Sequence, residues 1–110
     1  MGTINTAFVL GNLGADPDLK TTPKGHKLCQ LRVATHRRKD PDDKDAVETT
    51  WHHVKLWGQR AEFAHGHLKK GDPVAIGGRI TKEKWTGSDG VDRERTTIIG
   101  QNVTLLGKRP

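Results

Sequence analysis

The sequence predicts an all-β fold, a five-stranded Greek-key barrel with one short helix between strands 3 and 4. Three observations predict it. Segments rich in Val, Ile, Thr, Phe and Trp alternate apolar with polar positions, as half-buried strands do. Clusters of Gly, Pro and Asp punctuate them at short intervals, and only residues 59–70 carry helical spacing. At 110 residues the chain makes one domain, 1–110, long enough to bury a single core without a disulfide or a metal and too short for two cores.

Residues 4–10 have apolar groups on both faces, which predicts a strand covered on each side. A partner subunit is the expected second cover, with Ile4, Thr6 and Phe8 as candidate interface residues. Gly11-Asn12-Leu13-Gly14 is expected to bend the chain, and Asp16-Pro17 and Pro23-Lys24-Gly25 mark further turns. No phosphate loop is present, because the longer Gly-spaced loop closing on Lys-Ser or Lys-Thr is missing. Residues 28–37 alternate again, with Cys29, Leu31 and Val33 on one face and Gln30, Arg32, Ala34 and His36 on the other. Residues 38–48 are dense in Asp and Lys and read as a mobile loop. Asp40, Asp42, Asp43 and Asp45 lack the glycine and closing Glu of a calcium loop, so the expectation there is solvated charge and no metal.

Residues 49–58 predict the central strand. In it Trp51, His53, Lys55 and Trp57 share one side, and His52, Val54 and Leu56 share the other. The second side suits a core. The first interleaves large aromatics with a cation, which suits bases and phosphates better than packing. Residues 59–70 follow as a short helix with Ala61, Ala64 and Leu68 on one face, stopped by Gly71-Asp72-Pro73. Residues 74–85 return to β character, with Gly77-Gly78 suggesting a bulge and Trp85 closing the strand among cations. Residues 86–90 form a hairpin turn, and residues 93–106 run back as the last strand. Three strands, a helix and two strands with a curling bulge fit a barrel of the OB type, which binds oligonucleotides across strands 2 and 3 and neighbouring loops.

Composition points the same way. The net charge is +6, with nine basic and seven acidic residues up to Trp57 and ten and six after it, so no tail carries the excess. Such a chain suits a polyanionic partner. Arg32, Arg37, Arg38, Lys55, Arg79, Lys82 and Lys84 are the candidate phosphate ligands, with Lys20, Lys69 and Lys70 as ordinary solvated charges or further contacts. The single Cys29 excludes an internal disulfide and is consistent with a reducing compartment. No signal peptide, lipidation site or membrane span is legible, so a cytoplasmic protein without cofactor is expected.

Taken together and in order, Gly11-Asn12-Leu13-Gly14-Ala15-Asp16-Pro17, Pro23, Gly25, residues 31–35, Trp51-His52, Trp57-Gly58, Leu68-Lys69-Lys70-Gly71, Lys84-Trp85 and Gly90 resemble the bacterial single-stranded DNA-binding protein family. The resemblance runs from about Asn5 to Gly107. It implies an OB barrel, usually assembled as a homotetramer with a dimer as the alternative, that binds and protects single-stranded DNA in replication, recombination or repair. By position, Trp51, Trp57 and Trp85 match three stacking aromatics of the family, the middle one usually Phe. His52 matches a histidine that the family places at a subunit contact. Three departures stand out. Lys39 occupies the place of a further stacking Trp, the chain has no Tyr near Thr21 or elsewhere, and the acidic tip of the family is missing after Lys108-Arg109-Pro110. Tail-dependent protein partners are therefore not expected.

Two rival readings accompany this one. The first is a primosomal-type OB adaptor that binds DNA weakly and loads other replication proteins, against which the chain keeps three aromatics that such relatives lack. The second is a metal hydrolase built on His52, His53, His65 and His67. His65 and His67 are two apart on a predicted helix and point different ways, so no ligand pair forms and an enzyme is not expected.

Overall fold

In the computed structural model, which describes residues 2–107, the β-rich segments become six strands. These are β1 (Ala7–Leu13), β2 (Asp18–Thr21), β3 (Lys27–Asp40), β4 (Asp43–Trp57), β5 (Pro73–Thr86) and β6 (Asp92–Leu105), with α1 (Gln59–His67) between β4 and β5. Five of them close a barrel in the order β1-β5-β6-β4-β3, because β1 also pairs with β3. β2 is added to the free edge of β3. Every pairing is antiparallel except β4 with β6, which is parallel. The helix thus lies between the third and fourth barrel strands, as the sequence predicts.

Alternation places the core. Leu31, Val33, Val54, Leu56, Val74 and Ile76 are buried inside the barrel, each contributing about 1.5–3 kcal/mol by leaving water. α1 is only weakly amphipathic, yet Ala61 and Ala64 bury completely and Leu68 follows them into the same cluster. Alanine has no long side chain to hold the helix off, so α1 closes over β3 and β4.

In four places tertiary contacts add to or change what the local sequence suggests. The first strand covers Ala7–Leu13 instead of residues 4–10, so the expected bend at Gly11 lies inside it and Ile4 and Thr6 precede it. Asn12 and Leu13 pair with Ala34 and Val33 to complete the barrel, and a Cβ on Gly11 would overlap the Ala34 carbonyl oxygen. The glycine serves a close strand approach and not a turn. β2 is an unpredicted strand, because it is short, mostly polar and supported on one edge only. Residues 38–48 form no mobile loop: β3 continues to Asp40 and β4 begins at Asp43. Beyond the barrel neither face of this hairpin is buried, so the alternation that marks a strand is lost while the pairing persists. The register shift expected at Gly77-Gly78 is present, but the extra residue is Gln101 on β6, since Gly77 faces Asn102 and Gly78 faces Gly100. Lys108, Arg109 and Pro110, on which the reading of the tail rests, lie outside the described residues.

Because the β1–β3 seam leaves no room for a side chain, Gly11→Ala is expected to lower stability by about 1–3 kcal/mol. A urea unfolding midpoint equal to that of the parent would contradict this account of the seam.

Candidate nucleic-acid interface

Register carries the outward side of β4 across three neighbouring strands. On β3, Ala34, Arg32, Gln30 and Leu28 lie opposite Trp51, His53, Lys55 and Trp57. On β6, Thr97 and Ile99 lie beside His53 and Lys55. On β5, Thr81, Glu83 and Trp85 face Thr97, Arg95 and Arg93. One continuous outer surface therefore joins β3, β4, β6 and β5. Trp51, Trp57 and Trp85 remain 51%, 40% and 42% exposed on it, while Val54 and Leu56 on the inward side are fully buried. A Trp retained for packing would be buried; these three are not.

Two of the indoles are paired with guanidinium groups. Arg32 lies 4.9 Å from the centre of the Trp51 ring, and Arg95 lies 5.2 Å from that of Trp85, both within cation–π range. Trp51 is seated on Gly14, where a Cβ would collide with the ring. An open cavity of about 530 Å³ adjoins Trp51, Arg32 and Arg95.

At the centre of the surface stands an acid. Glu83 accepts a close charge-assisted hydrogen bond from Lys55 Nζ, one of 2.7 Å from Thr97 Oγ1 and a longer one of 3.3 Å from Arg95. Burial alone would raise its pKa, but the three donors prevail and bring it down to about 2. His53 is held below the usual histidine range, first by burial and then by the charge of Arg95. Its Nε2 is buried without a hydrogen-bond partner among the described residues.

The structure divides the predicted cations. Arg32, Arg38, Lys55 and Arg79 lie on the tryptophan side, whereas Arg37, Lys82 and Lys84 alternate to the other side of their hairpins. Lys55 is tied to Glu83 and only 18% exposed, which makes it a poorer phosphate ligand than its position in sequence suggests. Arg37 pairs with Glu48 at 3.4 Å and Lys82 with Glu94 at 3.3 Å. Arg32, Arg38, Arg79 and Lys84 make no ion pair among the described residues. Arg95 was not predicted. Counting back from the hairpin turn pairs Trp85 with Arg93 and Glu83 with Arg95, which is the signal that finds it.

Of the predicted interface residues, Ile4 and Phe8 are 93% and 71% exposed, and Thr6 is exposed. Phe8 and Leu10 point outward from β1 while Val9 packs on the core, so this strand is apolar on both sides as expected. His52 is half-buried and shares a 2.9 Å hydrogen bond with Thr35. Cys29 is fully buried, and burial followed by the charge of Asp18 pushes its thiol up to about 11, far from nucleophilic. Among the described residues no three His, Cys, Asp or Glu side chains converge as a metal site, and no helix is long and apolar enough to cross a membrane.

The single-strand binding protein family matches residues 4–106. The chain is 38% identical over 107 residues to the single-stranded DNA-binding protein of Xanthomonas axonopodis pv. citri (strain 306), covering 96% of this chain and 59% of that one. It is 40% identical over 107 residues to the protein so named from Xylella fastidiosa (strain Temecula1), covering 96% and 65%. To that of Neisseria meningitidis serogroup A it is 34% identical over 108 residues, covering 97% and 62%. The chain thus spans 59% to 65% of the length of these relatives.

The depressed pKa of Glu83 has a definite sign. Its contribution to stability is present above the ordinary value of 4.5 and is lost as pH falls towards about 2. Stability measured by urea unfolding is therefore expected to fall less over that interval in Glu83→Gln than in the parent. Parallel curves would show that the three donors do not favour the charged carboxylate.

Proposed function

Since the chain belongs to the single-strand binding protein family, we propose that it captures and protects single-stranded DNA without sequence preference, in replication, recombination or repair. The observation that carries this reading is the three half-exposed indoles on one outer surface, two of them paired with arginines. Every base has a π-face, so stacking on Trp51, Trp57 and Trp85 tolerates any sequence. Arg32, Arg38 and Arg79, which make no ion pair among the described residues, neutralise phosphates and release counterions. Arg37, Lys82 and Lys84, on the other side of the two hairpins, extend the basic surface for a longer strand. The Trp51 ring packs against Gly14, where any side chain would displace it, so Gly14 is part of the platform for a base in this reading.

The same reading includes self-association. Phe8 and Leu10 are large, apolar and exposed on a strand whose other side is packed on the core, and a second copy of the chain is the cover we assign to them, in a homotetramer or, failing that, a dimer. Ile4, Thr6 and His52 belong to that assembly in this reading. The protein acts in the cytoplasm and needs no cofactor.

Single-stranded oligonucleotide is expected to quench the intrinsic fluorescence strongly, and duplex of equal length far less. Trp51→Ala, Trp57→Ala and Trp85→Ala should each weaken binding by about 1–3 kcal/mol without unfolding the protein. Equal quenching by both nucleic acids would refute stacking on these indoles. Sedimentation should show a homo-oligomer that Phe8→Glu dissociates; a monomeric parent at micromolar concentration would overturn the assembly and leave the DNA reading standing.

A further inference from the structure

Glu83 is out of place on a surface meant for a polyanion. It lies on the same side of β5 as Trp85, and its carboxylate collects Lys55, Thr97 and Arg95, the last of which is the guanidinium beside Trp85. Lys55, Thr97 and Arg95 come from two other strands and converge on one acceptor, so the arrangement is built by the barrel and is not a chance pair along one strand. It is also partly sheltered, with Glu83 25% and Lys55 18% exposed, where charge-assisted bonds outlast those at an open surface. A backbone phosphate is the same kind of ligand, an anion whose oxygens accept from Lys, Arg and hydroxyl donors.

We propose that Glu83 is a positioning residue that stands where a phosphate would bind, holding Lys55 and Arg95 and competing with the DNA backbone for both. This rests on the single-stranded DNA reading above and deepens it. Two consequences follow from the geometry. Arg95 stays anchored beside Trp85, so one side of that indole is occupied and the other is left for a base. Lys55 is withheld from the backbone, so a bound strand displaces fewer counterions than the cations on this surface would allow, and it leaves more readily.

The test compares Glu83→Gln and Glu83→Ala with Glu62→Gln, which removes an equal charge from exposed Glu62 on α1, an element outside the four strands that carry the tryptophan surface. Binding of an oligothymidylate is followed by tryptophan fluorescence over a range of KCl, with a thermal melt of each variant. For the Glu83 variants the slope of log affinity against log salt should steepen by about 0.7 for each phosphate newly neutralised. Their affinity at low salt should rise several-fold above that of Glu62→Gln, and their dissociation should slow. Slopes and affinities equal to those of Glu62→Gln overturn the proposal, as does weaker binding. Failure of both Glu83 variants to fold also overturns it, since the carboxylate would then serve the barrel and not the bound strand. A parent protein that does not bind the oligonucleotide instead overturns the underlying DNA reading, whereas salt-independent binding by parent and variants alike overturns only the phosphate competition.

Discussion

The architecture depends on β4 being paired along both edges, antiparallel to β3 and parallel to β6. A sheet of this size twists and coils, and a strand shared between its two halves joins them so that the pairing of β1 with β3 closes a barrel with a defined inside. Once that closure is made, the pleat of β4 assigns each side chain irrevocably. Val54 and Leu56 must enter the core, and Trp51, His53, Lys55 and Trp57 must face out. A slip of one residue would bury a lysine and two indoles while exposing the centre of the core, so packing fixes the register of the outward side as well.

Electrostatics on the outer surface is finer than the net charge suggests. A charge of +6 sets a favourable field for a polyanion at long range. At short range the cations fall into separate groups. Some make no ion pair among the described residues, Arg32 and Arg95 lie against indoles, and Lys55 and Arg95 are both engaged by the Glu83 carboxylate. Trp51 and Trp85 each lie against an arginine and stay partly exposed, which reconciles large apolar side chains with a solvated face.

Much of the fold was legible before any coordinates. Alternation in 28–37 and 49–58 and the hairpin at residues 86–90 are local signals with local causes and appear where expected, whereas the helix expected to run to Lys70 ends at His67, since Leu68 is already extended. The errors share one origin. Gly11 looked like a bend because its partner, the Ala34 carbonyl, lies far away in sequence. The polar hairpin around Asp40 and Asp43 looked like a loop because strand patterning reports burial, and nothing buries it. β2 was missed because a single paired edge leaves no trace in composition.

By itself the sequence determined which side chains share a face, since a two-residue period follows from the backbone alone, and so it singled out Trp51, Trp57 and the cations beside them. Only the tertiary structure decided which cations are free to meet a ligand. Lys55 meets Glu83 across 28 residues, and Arg95 reaches Trp85 through the register of a hairpin. Ion pairing depends on distance in space, which chain order does not encode until the barrel has closed.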